Sequence, residues 1–368
     1  MGRSFKIGRA FGIDIKVHWT FILLLVFFAV YGYVQGGNLL GMALTAGLIV
    51  MLFGFVLLHE YGHSIVAQRL GIEIQDITLL PIGGVARMKA LPEKPSDEVK
   101  IAVAGPLVNV ALATVLYGIA YVGFGSNPLQ VTGFPNSGTS VGGIISYLAL
   151  INVILAGFNL IPAFPMDGGR VLRGLLATRM GAIQATNIAA FVGQAFAALF
   201  FLYGLLGGNF ILVLIAVFIF FGATGEAQVV RQREQMRGLT VSDVMGTKDR
   251  TETITPYHNF GQVLDSVIHG YQEDFPVVEE DGRLVGILTR KEILSAAHSP
   301  ERFNNVRDIM KTKFPSLAPG ADLFKEGYKL LGESGLRALP VVDNGKLAGM
   351  LTIEDIGQAS LLRRPTRR

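Results

Sequence analysis

Long apolar runs organise the first 225 residues, and short alternating ones organise the remaining 143. A bilayer core of about 30 Å takes roughly 17–25 apolar helical residues. Runs of that kind lie near residues 17–34, 41–63, 101–124, 143–160, 188–206 and 209–224, predicting six membrane spans of which the sixth is the shortest. Between the second and third, residues 71–77 alternate apolar and polar, Pro81 and Gly83-Gly84 interrupt, and residues 85–88 resume the alternation. That period of two predicts two short strands joined as a hairpin. Such a hairpin either plugs a gap between helices or leaves an edge that an extended peptide can join.

The C-terminal part repeats itself. Asp243-Val244-Met245 recurs as Asp308-Ile309-Met310, and Phe275-Pro276-Val277-Val278 recurs as Leu339-Pro340-Val341-Val342. The run from Asp281-Gly282 to Thr289 recurs from Asn344-Gly345 to Thr352. The repeat therefore spans about 60 residues, and Asp-Gly and Asn-Gly between strand-like runs predict a hairpin in each copy.

Composition sharpens this division. The chain is 51% hydrophobic and only 16% charged, against roughly 25% charged in a soluble domain. Residues 1–225 hold 20 of the 60 charged side chains, so the first part is not a water-soluble globule and the second can be. There are no cysteines, which excludes disulfides, thiolate metal sites and thiol catalysis. The net charge of +4 is too mild to suggest a nucleic-acid partner. Its placement says more. Connections 35–40, 125–142 and 207–208 lack Lys and Arg, whereas Arg3, Lys6, Arg9 and Lys16, then Arg69, Arg87, Lys89, Lys94 and Lys100, then Arg170, Arg173 and Arg179, and finally Arg231, Arg233 and Arg237 fill the alternate ones. The basic side faces the cytoplasm, so both termini are expected there, in a multi-pass protein of the cell membrane. No small-residue cleavage site follows Tyr33, so the first run reads as a span and not as a signal peptide.

The second span carries His59-Glu60-Tyr61-Gly62-His63. Residues four apart share a helix face, so His59 and His63 can offer two imidazoles to one metal ion, with Glu60 placed as a general base. Ionisable groups inside an apolar helix are costly and usually functional. His59 lies ten residues before Arg69, roughly 15 Å along the helix, which sets the site below the membrane surface on the cytoplasmic side. A catalytic zinc commonly has three protein ligands. The polar residues near the fourth span are Asn152, Asn159 and Asp167. After the helix-ending Pro162 and Pro165, Asp167 either turns back into the bundle as the third ligand or caps the helix begun at Arg170.

His59 to His63 within a span, followed by Asn159, Pro162, Pro165 and Asp167-Gly168, resembles the site-2 protease family of intramembrane zinc metalloproteases, in particular its archaeal and bacterial members with a cytoplasmic pair of CBS domains. The stretch from Gly12 through His18-Trp19 and the stretch Gly105-Pro106-Leu107-Val108-Asn109 also look like family features. The resemblance implies one Zn2+ held by His59, His63 and Asp167, and Asn159 helping to hold the substrate backbone. The reaction it implies is hydrolysis of peptide bonds in transmembrane substrates, with Glu60 as the base. His18 reads as an interfacial side chain and Asn109 as a helix-packing contact.

The repeat resembles a tandem CBS pair, which implies an adenine nucleotide (ATP or AMP) as regulatory ligand and a homodimer formed through these domains. The ribose-holding acidic residue three after the Thr falls at Asp355 after Thr352 and at Glu292 after Thr289. The fold class expected is thus a polytopic α-helical membrane protein, six spans with a short membrane-associated β segment, plus a soluble α/β CBS pair. The expected boundaries are 1–225 for the protease domain, 226–238 for a linker, 239–297 and 298–360 for the repeats, and 361–368 for a basic tail that touches anionic lipid through Arg363, Arg364, Arg367 and Arg368. The competing reading is a CBS-regulated metal transporter using the same His and Asp residues as a transit site. It lacks the inverted repeat of spans common in transporters and leaves Glu60 without a purpose.

Overall fold

The computed structural model describes residues 4–89, 92, 94–131, 133–135, 138–269, 272–298 and 304–362. The arginines of the tail lie outside the described residues. The chain divides into two compact units, 1–230 and 231–368.

The first unit opens with a hairpin of β1 (Ser4–Ala10) and β2 (Ile13–His18). Among the described residues, six helices follow that are long and apolar enough to cross a membrane: α1 (Trp19–Gly36), α2 (Leu39–Arg69), α3 (Pro95–Gly118, prolonged by a π-helical turn to Gly123), α4 (Val141–Asn159), α6 (Ala182–Leu206) and α7 (Phe210–Met236). Their outward residues stay apolar, with Val122 and Leu206 about as exposed as side chains become, which is what hydrocarbon solvent requires. A shorter helix, α5 (Asp167–Met180), sits between α4 and α6. The sixth helix outlasts its apolar run. It runs 27 residues, because charge at Glu226 and beyond ends the hydrophobic run without ending the helix.

Strands β3 (Ile74–Leu80) and β4 (Gly83–Met88) form the expected antiparallel hairpin. They are half of a four-stranded sheet ordered β1-β2-β3-β4, in which β2 and β3 run parallel. The alternation Ile13-Asp14-Ile15-Lys16-Val17 is a strand period lying just ahead of the first span. Across β2, β3 and β4, buried Asp76 accepts from Lys16 Nζ at 2.7 Å and from the Arg87 guanidinium. Burial acts to raise its pKa, but bonds from Arg87 and Lys16 outweigh it and hold the carboxyl below the usual carboxylate range. His18 is the N-cap of α1, accepting from Thr20 N.

The second unit contains β5 (Gly246–Thr247), α8 (Phe260–His269), β6 (Phe275–Val278), β7 (Leu284–Leu288), α9 (Arg290–Ala297), α10 (Lys329–Ser334), β8 (Ala338–Asp343), β9 (Lys346–Thr352) and α11 (Ile353–Leu362). The hairpins β6-β7 and β8-β9 turn at Gly282 and at Asn344-Gly345, all three in the left-handed region that Asn and Gly tolerate. The packing units cross the sequence repeats. Val241 and Met245 belong with Leu323, Leu339 and Leu351, while Ile309 and Met310 pack with Phe275 and Leu288. Each repeat lends its opening turn to the core of the other, so neither copy is a complete globule alone.

Candidate metal centre

His59 and His63 lie one turn apart on α2 and face α3. Their Nε2 atoms are 3.0 Å apart. Asp167 Oδ2 comes within 3.1 Å of the first and 3.2 Å of the second. Both histidines are buried. Asp167 is the first residue of α5, whose N-cap is Met166, and its side chain is turned to the two imidazoles instead of capping. The loop before it folds tightly against the helix start. A β-carbon on Gly168 would come 2.3 Å from Ile161 O, and one on Gly169 would come 2.5 Å from the Ala163 carbonyl carbon. Only glycine lets the chain reverse so closely that Asp167 points back into the bundle.

One stripe of α3 arranges the histidines. Ile101 O accepts from His63 Nδ1 at 2.6 Å, and Asn109 Oδ1 accepts from His59 Nδ1 at 2.5 Å. Between them Gly105 exposes bare backbone to both rings: a β-carbon there would sit 2.2 Å from His63 Nε2 and 2.7 Å from His59 Nε2. With each Nδ1 directed at a carbonyl oxygen, Nε2 is the ring nitrogen left to serve as a ligand. Two ring nitrogens and a carboxylate oxygen therefore converge, a donor set that suits a divalent cation. Zinc bonds of about 2.0–2.1 Å in a tetrahedral site separate donors by about 3.3 Å, close to the three distances found. The donor set, its spacing and the glycine cradle all fit a zinc ion.

A cavity of about 410 Å³ opens on this cluster and is lined also by Glu60, Gly84, Asn159 and Arg170. Strand β4 runs along it, and Gly84 is pressed so close that a β-carbon would meet Glu60 Cγ at 2.5 Å. Asn159 lies at the cavity wall, with its Nδ2 donating to Leu155 O at 3.0 Å. Arg170 was not singled out by the sequence pattern. It pairs with Glu226 of α7 at 3.4 Å. Asn109 is no mere packing contact, since its oxygen meets His59, and Gly105 bares main chain to both histidines. Their place on a helix bearing no ligand gave no local signal of this.

In the second unit the two repeat positions differ. Thr352 and Asp355 line a cavity of about 540 Å³ together with Asp243, Arg250, Asp274 and Arg337, and Asp355 Oδ2 accepts from Thr352 Oγ1 at 2.7 Å. Glu292 is instead engaged by Lys311 Nζ at 2.7 Å and by the Thr289 hydroxyl. Burial acts to raise the pKa of Glu292, but those two bonds outweigh it and hold it low.

Helical spans around a His-His-Asp cluster, with a general-base candidate in the same cavity, define a membrane-embedded metallopeptidase. The family model for peptidase family M50 matches residues 47–203, and that for the CBS domain matches residues 241–299 and 306–361. A zinc metalloprotease of Methanocaldococcus jannaschii is 36% identical over 359 residues, covering 98% of this chain and 96% of that one. Rip3 of Mycobacterium tuberculosis is 28% identical over 378 residues, covering 97% and 93%. Among solved structures, the site-2 protease from Methanocaldococcus jannaschii is 40% identical, covers 61% of this chain and 95% of its own, and superposes with a TM-score of 0.46. The chain belongs to peptidase family M50, the site-2 protease type of zinc metalloprotease, and is a multi-pass membrane protein with a CBS pair.

Proposed function

We propose that this protein cleaves transmembrane substrates within the membrane, with His59, His63 and Asp167 holding the zinc and Glu60 serving as general base. The observation that carries the reading is the convergence of two Nε2 atoms and one carboxylate oxygen within 3.2 Å of one another, beside Glu60 in one cavity. Zinc in this site supplies Lewis acidity, acidifying water and polarising the scissile carbonyl. Glu60 accepts the proton of the attacking water and delivers it to the leaving amine. A transmembrane helix satisfies its own peptide groups, so the substrate must unwind before attack. Strand β4, at an edge of the sheet and along the cavity, offers that segment a hydrogen-bonded alternative as an added strand. Asn159, which also lines the cavity, holds the substrate backbone with its amide oxygen.

The cavity at Thr352 and Asp355 takes an adenine nucleotide, ATP or AMP, which regulates cleavage. Its volume lies within the range of small-molecule sites. The CBS pair also forms the homodimer contact, and both termini are cytoplasmic, in keeping with the placement of basic residues. Purified wild type and Glu60→Gln are to be compared for cleavage of a model transmembrane substrate in detergent, with zinc content measured alongside. Equal zinc with cleavage in wild type alone is the expected result. Unchanged cleavage by Glu60→Gln would remove Glu60 as the base. Zinc absent from both proteins would remove the ligand assignment.

A further inference from the structure

Two carboxamides lie fully buried in the bundle, Asn109 on α3 and Asn152 on α4. An unsatisfied amide in such surroundings costs several kcal/mol, so their arrangement matters. Asn152 Nδ2 donates to Leu148 O at 2.9 Å, one turn back on its own helix. That bond fixes which end of the Asn152 amide faces Asn109. Asn152 Oδ1 accordingly accepts from Asn109 Nδ2 at 2.9 Å. The Asn109 oxygen is thereby left facing His59 Nδ1 at 2.5 Å. The direction of every bond follows from a main-chain carbonyl, which can only accept.

We infer that Asn109 and Asn152 form a relay that holds His59 in its Nδ1–H tautomer with Nε2 bare, and that this relay sets the affinity of the metal centre. The inference rests on the zinc reading of His59, His63 and Asp167 above. Asn109 and Asn152 are positioning residues: neither reaches the convergent donor atoms. Partners of this kind orient a ligating imidazole, and their loss typically lowers metal affinity 10–100-fold. His63 has a counterpart in Ile101 O, supplied by the main chain. The partner of His59 lies two turns further along α3, at Asn109, and is a side chain, which needs a second one to keep it from flipping.

The alternative is that the amides simply join α3 to α4. The two roles predict opposite orders for substitutions at position 109. Asn109→Asp keeps an acceptor for His59 Nδ1–H, and a proton on its other oxygen keeps a donor for Asn152 Oδ1. Asn109→Leu keeps the volume and the apolar character that packing favours, but removes the acceptor. Zinc affinity is to be read by chelator competition on full-length protein in detergent, with thermal unfolding of the metal-free protein as the folding control. Expected are a 10–100-fold loss in Asn109→Leu, affinity within about threefold of wild type in Asn109→Asp, and a smaller loss in Asn152→Leu. Equal affinities throughout, or Asp weaker than Leu, would overturn the relay. Should Asn109→Leu not fold, Asn152→Leu decides alone, an unchanged affinity counting against the relay. A wild type that binds no zinc would overturn the ligand reading instead, a separate outcome.

Discussion

Gly105 stands so close to His63 that a β-carbon on it would lie 2.2 Å from the Nε2 atom. No side chain can share that space with a ligating imidazole. Gly105→Ala would favour the α3 helix by up to about 1 kcal/mol, so a purely structural glycine would gain stability from it. At this position both histidines must swing away. The expected outcome is a loss of bound zinc of at least about tenfold, with proteolysis lost in step, while the metal-free protein loses no more than the overpacking cost of about 1–3 kcal/mol and still unfolds cooperatively. Metal analysis and a thermal melt of the same preparation check it.

The neighbouring helix is anchored by a buried ion pair. Arg173 of α5 donates to Glu98 of α3 through Nε at 2.7 Å and again through its second nitrogen, and its guanidinium lies 5.7 Å from the centre of the Phe164 ring. Both side chains are largely shielded. Removing one partner of such a pair strands the other charge and costs about 3–5 kcal/mol. Because α5 begins at Asp167, Arg173→Ala is expected to lower the unfolding temperature and also to weaken zinc binding. Glu98→Ala should do the same, and the double substitution should cost less than the sum. A double-mutant cycle on melting temperature and zinc content tests this.

The sequence carried the helical half of the site and little of what shapes it. His59 and His63 were legible because four-residue spacing on a span is a local pattern. Asp167 was not decidable from spacing, since a turn that aims an aspartate back into a bundle depends on Gly168 and Gly169 meeting main chain that precedes them. Asn109 and Gly105 act on residues more than forty positions away, and nothing in their own helix says so. Strands β1 and β2 were hidden because an alternating stretch runs directly into a span. In the second unit the repeat was plain, yet the exchange of opening turns was not: it is made by tertiary packing, with Val241 N donating to Ala321 O and Val306 N to His258 O.

The cluster around Asp76 gives a pH dependence with a definite sign. Its folded pKa is held below the unfolded value of about 3.9 by Arg87 and Lys16. Stability from this group is therefore complete above the unfolded pKa and is lost as pH falls through the folded one. Asp76→Asn should flatten that acid limb of the stability profile. At neutral pH it should cost about 1–2 kcal/mol, less than a sealed ion pair, because Lys16 and Arg87 keep roughly a third of their side chains in contact with solvent. Melting temperatures of both proteins from pH 3 to pH 7 give the comparison. Parallel profiles would mean that the carboxylate is not what ties β2, β3 and β4 together.

The asymmetry of the CBS pair predicts one nucleotide per chain. Asp355 lines the cavity, and its carboxylate bonds to its own helix start through Thr352. A ribose hydroxyl can share that oxygen without breaking an ion pair. Glu292 is already committed to Lys311 and Thr289. For a ribose to take it, a charge-assisted bond worth about 1.5–3 kcal/mol must first be given up. Titration calorimetry with AMP on the full-length protein should therefore show a stoichiometry near one. Asp355→Ala should reduce affinity at least about tenfold, the equivalent of one such bond, and Glu292→Ala should leave it unchanged. Two equal sites, or a loss on Glu292→Ala matching that on Asp355→Ala, would mean that the Lys311 pair opens readily and that both repeats read the ligand.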